Sequence, residues 1–383
     1  MAFGNFQLLP KNSQLWSVSP RVSPTWSPIV RIDPASRTYS TLTRLAPCSP
    51  MRMSTATMAT ATKKPALLQL GAVVPVLRDV LEGVYDIYPL GDQEDEATFL
   101  AKKGASIRGV VTCEDAHCEQ TVVATELLSK LPNLEIVSSF DHRDLNKAVD
   151  LRLCKRLGVH VTDTRDALTH FCAATAHRLL MAVAQEVCCM GRYVRARRWP
   201  CEGSYVIPYR LCNKHVGVVG LEQVGVAIAR RMESLGCTIG YWCQSRNLQY
   251  PNYVYFSSVV DLARHTDILI ICCTLTKETT KIVNKEVLDA LGPHGFVVNV
   301  SRGPVIDLKE LISALKDGRI AGVGLDVFEN EGQVPDELID FATCILQPHP
   351  ASGTMETQQA MADLVVANLE AHFSGKPLLT PVW

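Results

Sequence analysis

Six short apolar runs in the second half of the chain are separated by longer stretches, most of which have helical periodicity. Each run has the length of a single β-strand. Alternation of strands and helices at this spacing is typical of a parallel sheet with right-handed crossover connections. The predicted strands are Val216–Val219, Thr238–Trp242, Ile268–Cys272, Phe296–Asn299, Gly322–Val327 and Cys344–Leu346.

A smaller alternating region precedes this one and begins at Ala66. We therefore predict an α/β protein with two doubly wound parallel sheets, in which residues 66–165 form one domain and residues 166–349 the other. The C-terminal residues 350–383 hold a predicted helix and return to the first domain, which makes that domain discontinuous. The predicted elements outside the larger domain are strands at Leu67–Leu70, Ile107–Val111 and Leu134–Val137, and helices at Thr121–Leu131 and Thr354–Phe373.

One long helix is predicted between the two regions, from Thr169 to about Arg195. Four apolar residues on it recur at helical spacing, and we interpret them as ordinary core packing. They are Leu179, Leu180, Val183 and Val187.

The first 65 residues differ in composition from the rest of the chain. Residues 1–64 contain eight lysines and arginines but a single acidic residue, Asp33, and they are rich in serine, threonine and proline. This composition is typical of a transit peptide for the chloroplast or mitochondrion. The alternative is a disordered or untranslated extension with initiation at Met51, Met53 or Met58, for which a cytoplasmic location is expected.

Charge, hydrophobicity and cysteine placement restrict the classes of partner. The net charge of −1 argues against nucleic-acid binding, for which a basic excess is usual. No apolar stretch reaches the length of about 20 residues that a membrane span needs. The 14 cysteines include the adjacent pairs Cys188-Cys189 and Cys272-Cys273 but no C-x-x-C motif. This pattern favours buried free thiols in a reducing compartment and no metal site.

A glycine-spaced turn follows the first strand of the larger region. The residues Gly220-Leu221-Glu222-Gln223-Val224-Gly225 stand between that strand and a helix predicted at Val226–Leu235, which is the context of a dinucleotide-binding loop. The first glycine permits the tight turn, and the last lets helix and strand pack closely. Glu222 occupies the middle position, where its carboxylate opposes the cofactor phosphates. The alternative is a strand–helix turn that binds no ligand.

The end of the next strand bears on which dinucleotide binds. An acidic residue there would hold the ribose of NAD, but the chain reads Cys243-Gln244-Ser245-Arg246. Ser245 and Arg246 fit a 2′-phosphate, so NADP is the preferred cofactor and NAD the other candidate. A solvated loop cation without a ligand remains the alternative role for Arg246.

Arg302, Glu331 and His349 carry the groups that reduction of a ketone requires. Each lies just beyond a predicted strand, where the active sites of open α/β sheets collect. Arginine binds a carboxylate and polarises a carbonyl, histidine supplies a proton near neutral pH, and a neighbouring carboxylate favours the protonated imidazole. Considered one at a time, each residue has an ordinary alternative role. Arg302 is then a loop cation, Glu331 a surface carboxylate and His349 a core histidine.

These motifs resemble those of the D-isomer-specific 2-hydroxyacid dehydrogenases, and most of all the plant-type hydroxypyruvate/glyoxylate reductases. The resemblance covers roughly residues 66–383 and is strongest in the C-terminal half. The separations of 29 and 18 residues between the arginine, the glutamate and the histidine are those of the family. The segments that carry the resemblance are Asn299–Gly303, Leu325–Glu331 and Pro348-His349.

The resemblance implies a fold, a chemistry and a set of site residues. It implies a Rossmann-type cofactor domain, a smaller flavodoxin-like substrate domain and a homodimer. Arg302 would bind and polarise the 2-keto acid, His349 would act as the acid/base, and Glu331 would hold the histidine. Asp326 would contact the carboxamide of the nicotinamide. Further cofactor contacts are expected at Cys273, Thr274 and Ser301.

The chain also departs from the family pattern. Gln244 stands where NADP-dependent members carry arginine, and Gly332 stands where proline is usual. The substrate loop differs most, because Asp141-His142-Arg143-Asp144 contains no glycine. Acidic residues there oppose an anionic substrate, whereas Arg143 either holds the substrate carboxylate or is a solvated loop cation.

Two hypotheses for the function follow from these observations. The first is NAD(P)H-dependent reduction of a small 2-keto acid, such as hydroxypyruvate or glyoxylate, to the D-2-hydroxy acid. The second is a catalytically impaired or inactive relative that acts as a binding or regulatory protein, which Glu222 and the altered substrate loop suggest. Fold alone does not decide between them, and the sequence does not identify the 2-keto acid.

Overall fold

A computed structural model describes residues 64–71, 73–91, 95–112, 123–140, 145–199, 209–330, 332–348 and 354–383 of the chain. These residues belong to one compact unit, Thr62–Trp383. The leader predicted at residues 1–65 lies outside them except for its last two residues. Among the described helices, none has both the length and the apolar character needed to cross a bilayer.

The smaller sheet has five strands in the described part of the chain. In chain order they are β1 (Ala66–Leu70), β2 (Asp86–Pro89), β3 (Ile107–Thr112), β4 (Ile136–Ser139) and β5 (His160–Thr162). All are parallel, and their order in the sheet is β2-β1-β3-β4-β5. The sequence predicted β1, β3 and β4 but missed β2 and β5. β2 is only half-buried and β5 has three residues, so neither presents the apolar run by which a buried strand is recognised.

The larger sheet has seven parallel strands in the described residues. They are β6 (His215–Val219), β7 (Thr238–Trp242), β8 (Val254–Tyr255), β9 (Ile268–Ile271), β10 (Phe296–Asn299), β11 (Gly322–Leu325) and β12 (Cys344–Leu346). Their order is β12-β11-β10-β9-β6-β7-β8. All six strands predicted here are observed, with ends that agree within two residues, and only the two-residue edge strand β8 was missed. The predicted fold class is confirmed.

Helices connect the strands. Those of the smaller sheet are α1 (Pro75–Val84), α2 (Glu96–Lys103), α3 (Thr125–Ser129), α4 (Leu145–Ala148) and α5 (Leu151–Leu157). The segment between the sheets forms α6 (Arg165–Ala184) and α7 (Val187–Arg195). Those that follow are α8 (Gln223–Ser234), α9 (Val259–Arg264), α10 (Lys285–Leu291), α11 (Leu308–Lys316), α12 (Asp336–Asp340) and α13 (Met355–Phe373).

The single helix predicted from Thr169 to about Arg195 is in fact two helices. Glu186 separates α6 from α7 and adopts the left-handed conformation, with a φ of 51°. The three residues of the predicted apolar stripe that precede this break are buried, whereas Val187, which follows it, is 54% exposed. The prediction of one continuous helix was therefore wrong, because no glycine or proline marks the break in the sequence.

Apolar cores cover both faces of the larger sheet. On one face α6 packs across the strands and against α8, and a Cβ atom on Gly324 of β11 would lie 3.0 Å from the Cβ of Leu179. On the other face α9, α10 and α11 supply the apolar side chains. Strands that are buried on both faces have continuous apolar sequences, which is why the sequence predicted them well.

The C-terminal helix α13 packs on the smaller sheet. Val365 and Leu369 of α13 are fully buried in one cluster with Leu67 of β1 and Leu77 of α1. Asn368 is also fully buried, and its side-chain oxygen accepts hydrogen bonds from the backbone of the residues that follow the helix. The chain thus returns to the first sheet after completing the second.

Candidate active site

The order of strands in the larger sheet reverses between β6 and β9. From β6 the chain moves outward to β7 and β8, and it then crosses to the other side of β6 to add β9, β10, β11 and β12. Connections that leave in opposite directions open a crevice outside the carboxyl ends of the two strands. The turn after β6 and the loop after β9 line this crevice, and they bring Gly220 against Cys273.

The turn after β6 has a shape that requires glycine at two positions. Gly220 has a φ of +101°, and a Cβ atom there would lie 2.7 Å from the Cα of Cys273. A Cβ atom on Gly225 would lie 1.9 Å from the carbonyl oxygen of Gly220. Helix α8 therefore begins in direct contact with the turn, and its first N–H groups, which have no partner within the helix, favour an anion at the crevice. This cradle fits the phosphates of a dinucleotide.

Glu222 is the N-cap residue of α8. Its φ of −88° and ψ of −165° are extended backbone that any residue adopts, so the chain geometry does not require glycine here. The side chain is exposed and makes no capping hydrogen bond. Burial raises the pKa of the Cys273 thiol to about 12, and the Glu222 carboxylate adds to that rise. The position therefore has room for a side chain, but it brings negative charge to the crevice.

The residues that follow β7 border the phosphate turn. The sulfur of Cys243 accepts a hydrogen bond from the backbone N–H of Leu221 at 2.8 Å. Ser245 and Arg246, which the sequence associates with NADP, are exposed. Trp242, the last residue of β7, lines a groove of about 450 Å³ between α9 and the residues that lead into α10.

Hydrogen bonds join the loops that follow β9 and β10. Ser301 is buried, and its hydroxyl donates to the carbonyl oxygen of Cys273. The Asn299 side chain accepts from the backbone N–H of Ser301 at 3.0 Å and donates to the carbonyl oxygen of Arg302 at 3.0 Å. Thr274 is exposed at the same edge. The backbone around Arg302 is therefore held by two side chains at the end of β10, one of which bonds to the backbone of the loop after β9.

Arg302 lies half-buried where β10 ends. Its Nη1 donates to the carbonyl oxygen of Ser301 at 2.7 Å. The next residue is Gly303, and a Cβ atom there would lie 2.0 Å from the carbonyl carbon of Phe328. Glycine at this position thus lets the arginine loop touch the loop that leads to Glu331.

Asp326 follows β11 directly and is 5% exposed. Its backbone N–H donates to the carbonyl oxygen of Asn299 at 3.0 Å, so it is anchored to the end of β10. Burial raises the pKa of the Cys172 thiol on α6 to about 11, Asp326 adds to the rise, and Arg302 opposes it. The Asp326 carboxylate and the Arg302 guanidinium therefore act electrostatically on the same thiol of α6, in opposite directions. Cys172 was not predicted as a site residue, because it stands within a helix and belongs to no motif.

Three of the predicted site residues lie outside the described residues; they are Arg143, Glu331 and His349. The segment that leads to His349 is described as far as Pro348. Gln347 donates its backbone N–H to the carbonyl oxygen of Leu325 at 2.9 Å, and its side-chain oxygen accepts from Nη2 of Arg178 at 3.0 Å. The chain therefore enters the histidine segment from the sheet edge that also carries Asp326. Arg178 was not predicted from the sequence, because its partner is 169 residues away in the chain.

Other features of the described residues lie apart from this crevice. A groove of about 530 Å³ borders β2 at the edge of the smaller sheet and contains none of the predicted site residues. Across the described ranges, no three histidine, cysteine, aspartate or glutamate side chains are grouped as they would be around a metal ion. The candidate active site is therefore assigned to the reversal of strand order between β6 and β9.

The parallel sheet and the glycine-shaped turn at its reversal define a dinucleotide-binding α/β protein. Residues 177–351 match the NAD binding domain of the D-isomer specific 2-hydroxyacid dehydrogenases. The chain is 46% identical over 306 residues to hydroxyphenylpyruvate reductase of Plectranthus scutellarioides, covering 80% of this chain and 95% of that protein. It is 44% identical over 308 residues to glyoxylate/hydroxypyruvate reductase A of Arabidopsis thaliana, with the same two coverages, 80% and 95%.

A solved structure agrees with these sequence comparisons. The NADPH-dependent glyoxylate/hydroxypyruvate reductase of Sinorhizobium meliloti, in complex with NADP and malonate, aligns with a TM-score of 0.71 at 35% identity, covering 84% of this chain and 97% of that one. The chain belongs to the D-isomer-specific 2-hydroxyacid dehydrogenases, a family of NAD(P)-dependent oxidoreductases. The predicted resemblance is thereby confirmed. The alternative of a binding or regulatory protein receives no support from the comparisons.

Proposed function

We propose that the chain catalyses NAD(P)H-dependent reduction of a small 2-keto acid to the D-2-hydroxy acid. The observation that supports this most is the position of Arg302 and Asp326 at the ends of neighbouring strands. The arginine loop is joined to the Gly220 turn through Ser301, which bonds to Cys273, the residue that Gly220 packs against. A cation suited to a carboxylate and a carbonyl thus lies near a cradle suited to phosphates. The similar plant proteins are named as reductases of 2-keto acids.

The proposed chemistry gives each side chain a separate role. When bound, a nicotinamide cofactor would supply a hydride for the carbonyl carbon of the substrate. Arg302 binds the substrate carboxylate and stabilises negative charge on the carbonyl oxygen. His349 donates a proton to that oxygen, while Glu331 favours the protonated imidazole. Asp326 would hold the carboxamide of a bound nicotinamide.

The proposed substrate is hydroxypyruvate, glyoxylate or a close relative. The names of the similar proteins include hydroxyphenylpyruvate, glyoxylate and hydroxypyruvate, so the aromatic acid belongs in any screen. Arg143 is proposed as a second cation for the substrate carboxylate. It follows β4 in the chain, after the last described residue of that loop, Phe140.

For the cofactor, we propose a preference for NADP over NAD. The exposed Ser245 and Arg246 support this preference, since no carboxylate stands between Cys243 and Arg246 to hold a ribose hydroxyl. The turn would hold the pyrophosphate through backbone groups of Gly220, Leu221, Glu222, Gln223, Val224 and Gly225. Cys273, Thr274 and Ser301 would complete the cofactor site from β9 and β10.

The domain assignment is part of the same proposal. Residues 66–165, completed by 350–383, form the substrate domain, and residues 166–349 form the cofactor domain. The packing of α13 on the smaller sheet supports the discontinuous first domain. A homodimer is proposed from the family, and a cytoplasmic location is proposed for the case in which the leader is not a transit peptide. A chloroplast or mitochondrial location applies if the leader is a transit peptide.

The test is to follow NADPH and NADH oxidation by the purified protein with hydroxypyruvate, glyoxylate and hydroxyphenylpyruvate. We expect turnover, and Arg302→Ala should lower kcat/KM by about a hundredfold or more while leaving NADPH binding in place. Arg302→Lys should rescue only part of the loss, because it keeps the charge without the planar fork. Arg264→Ala, an exposed cation on α9, is the matched control. NADPH binding without oxidation by any of the three acids would contradict the proposal.

A further inference from the structure

The peptide group that joins Gly220 to Leu221 is held by a thiol on each side. Its N–H donates to the sulfur of Cys243 at 2.8 Å, and its carbonyl oxygen accepts a hydrogen bond from the sulfur of Cys272 at 3.1 Å. Cys243 follows β7 and Cys272 follows β9, and these are the two strands that flank β6. Each neighbour of β6 therefore supplies one thiol to the turn at the end of β6.

We infer that Cys243 and Cys272 are positioning residues that set the orientation of the phosphate turn and thereby the affinity for the dinucleotide. We refer to this pair as the thiol clamp. The inference rests on the proposed function and deepens it, because it adds two residues of this chain to the machinery that holds the cofactor. Neither thiol touches the reacting atoms.

The geometry explains why such a clamp is useful at this position. Gly220 has no Cβ atom, so steric contacts within the residue place little restriction on the plane of the peptide that follows. A trans peptide points its N–H and its C=O in opposite directions, so Cys243 and Cys272 lie at opposite edges of the unit and do not face each other. Rotation of the peptide plane would break both hydrogen bonds together.

The protonation states agree with these donor and acceptor roles. Burial raises the pKa of the Cys272 thiol well above its ordinary value, so its S–H remains available to donate. Burial also raises the pKa of Cys243, against the opposing effect of the Leu221 N–H. Cys243 is therefore a neutral thiol that accepts the hydrogen bond through a sulfur lone pair.

The clamp acts on the residues that meet the phosphates. The carbonyl oxygen held by Cys272 is also the atom against which Gly225 of α8 packs. A turned peptide at 220–221 would therefore shift the backbone N–H groups at the start of α8, which are those suited to an anion. The expected consequence of losing a clamp residue is weaker cofactor binding with the fold retained.

The experiment compares alanine and serine variants at both positions. Cys243→Ala and Cys272→Ala should each raise the Kd for NADPH, read from nicotinamide fluorescence, by about three- to tenfold. Cys243→Ala should also speed hydrogen exchange of the Leu221 amide in the free protein, measured by NMR. Cys243→Ser and Cys272→Ser retain the hydrogen-bonding capacity and should stay within about twofold of the unaltered chain.

Cys237 provides the matched control. It is buried just before β7, and its sulfur donates to the carbonyl oxygen of Leu211 at 3.3 Å, away from the crevice. Cys237→Ala should lower the melting temperature without changing the Kd for NADPH or the exchange of the Leu221 amide.

Three results would overturn either the thiol clamp or the proposed function. An unchanged Kd in Cys243→Ala and Cys272→Ala, together with an unchanged Leu221 exchange in Cys243→Ala, would overturn the clamp. Serine variants as defective as the alanine variants would also overturn it, since the sulfurs would then act by filling space. Failure of the unaltered protein to bind NADPH or NADH would instead overturn the proposed function and the clamp's role in affinity. The Leu221 exchange would still decide whether the thiols hold the turn.

Discussion

The carbonyl oxygen of Gly220 lies so close to Gly225 that a Cβ atom on Gly225 would be 1.9 Å away from it. This contact joins the end of β6 to the first turn of α8 without any intervening side chain. The start of a helix is therefore held directly over the reversal in strand order, where its unpaired N–H groups are suited to phosphate.

Gly225→Ala should separate α8 from the turn. A methyl group cannot occupy the space beside a backbone oxygen, so we expect a loss of about 1–3 kcal/mol or more in the free energy of unfolding and a large rise in the Kd for NADPH. Denaturant unfolding and fluorescence titration measure the two effects. Gly83→Ala in α1 is the control, because a Cβ atom there would meet no heavy atom within 4 Å. A Gly225→Ala protein that binds NADPH normally would contradict the assigned geometry.

Replacement of Glu222 should strengthen cofactor binding. Both Glu222→Gln and Glu222→Gly remove a negative charge next to a helix N-terminus, and we expect the KM for NADPH to fall by roughly two- to fivefold. Steady-state kinetics at low ionic strength give the clearest measurement, since salt screens the effect. Glu286→Gln, an exposed carboxylate in the first turn of α10, controls for the change in net charge. An unchanged KM in both variants would mean that the Glu222 charge does not act on the phosphates.

The contact between Arg178 and Gln347 should influence catalysis through the segment that carries His349. Arg178→Ala removes a hydrogen bond of 3.0 Å, and we expect kcat to fall by roughly three- to tenfold with little change in the Kd for NADPH. The double variant with Gln347→Ala should be no worse than either single variant, because both remove the same contact. Additive losses would show that the two residues act independently.

Glu135 should make stability depend on pH in the acidic range. Its carboxylate accepts hydrogen bonds from Arg108 at 2.6 and 2.9 Å and contacts His372 of α13 at 3.1 Å. The hydrogen bond with Arg108 is the chief cause that lowers the pKa of Glu135, and His372 lowers it further. A lowered pKa in the folded state means that the stabilisation is complete above the unfolded pKa, near 4.3, and is lost as the pH falls through the folded value.

Glu135→Gln should remove this part of the pH dependence. We expect the melting temperature of the unaltered chain to fall more steeply below about pH 5 than that of the variant, with the two curves approaching each other in acid. Glu126→Gln, in an exposed pair with Lys130 on α3, is the control and should leave the curve almost unchanged. Parallel curves for the unaltered chain and Glu135→Gln would contradict the prediction.

The larger sheet was predictable because its strands are buried on both faces. The run Ile268–Ile271 and the run Phe296–Asn299 are buried throughout, and continuous burial leaves a continuous apolar sequence. The half-buried β2 leaves no such pattern. The break at Glu186 was also beyond prediction, because glutamate has no local preference for a left-handed conformation and only its surroundings impose it.

The sequence by itself determined the alternating α/β order, the glycines at 220 and 225 and the family, because these depend on local periodicity and on short motifs. Tertiary structure alone decided that Cys243 and Cys272 meet at one peptide group and that Arg178 reaches Gln347. Such contacts join residues far apart in the chain, and nothing in the local sequence of either partner specifies the other. The order of strands in the sheet brings them together, and that order is set by the packing of the whole core.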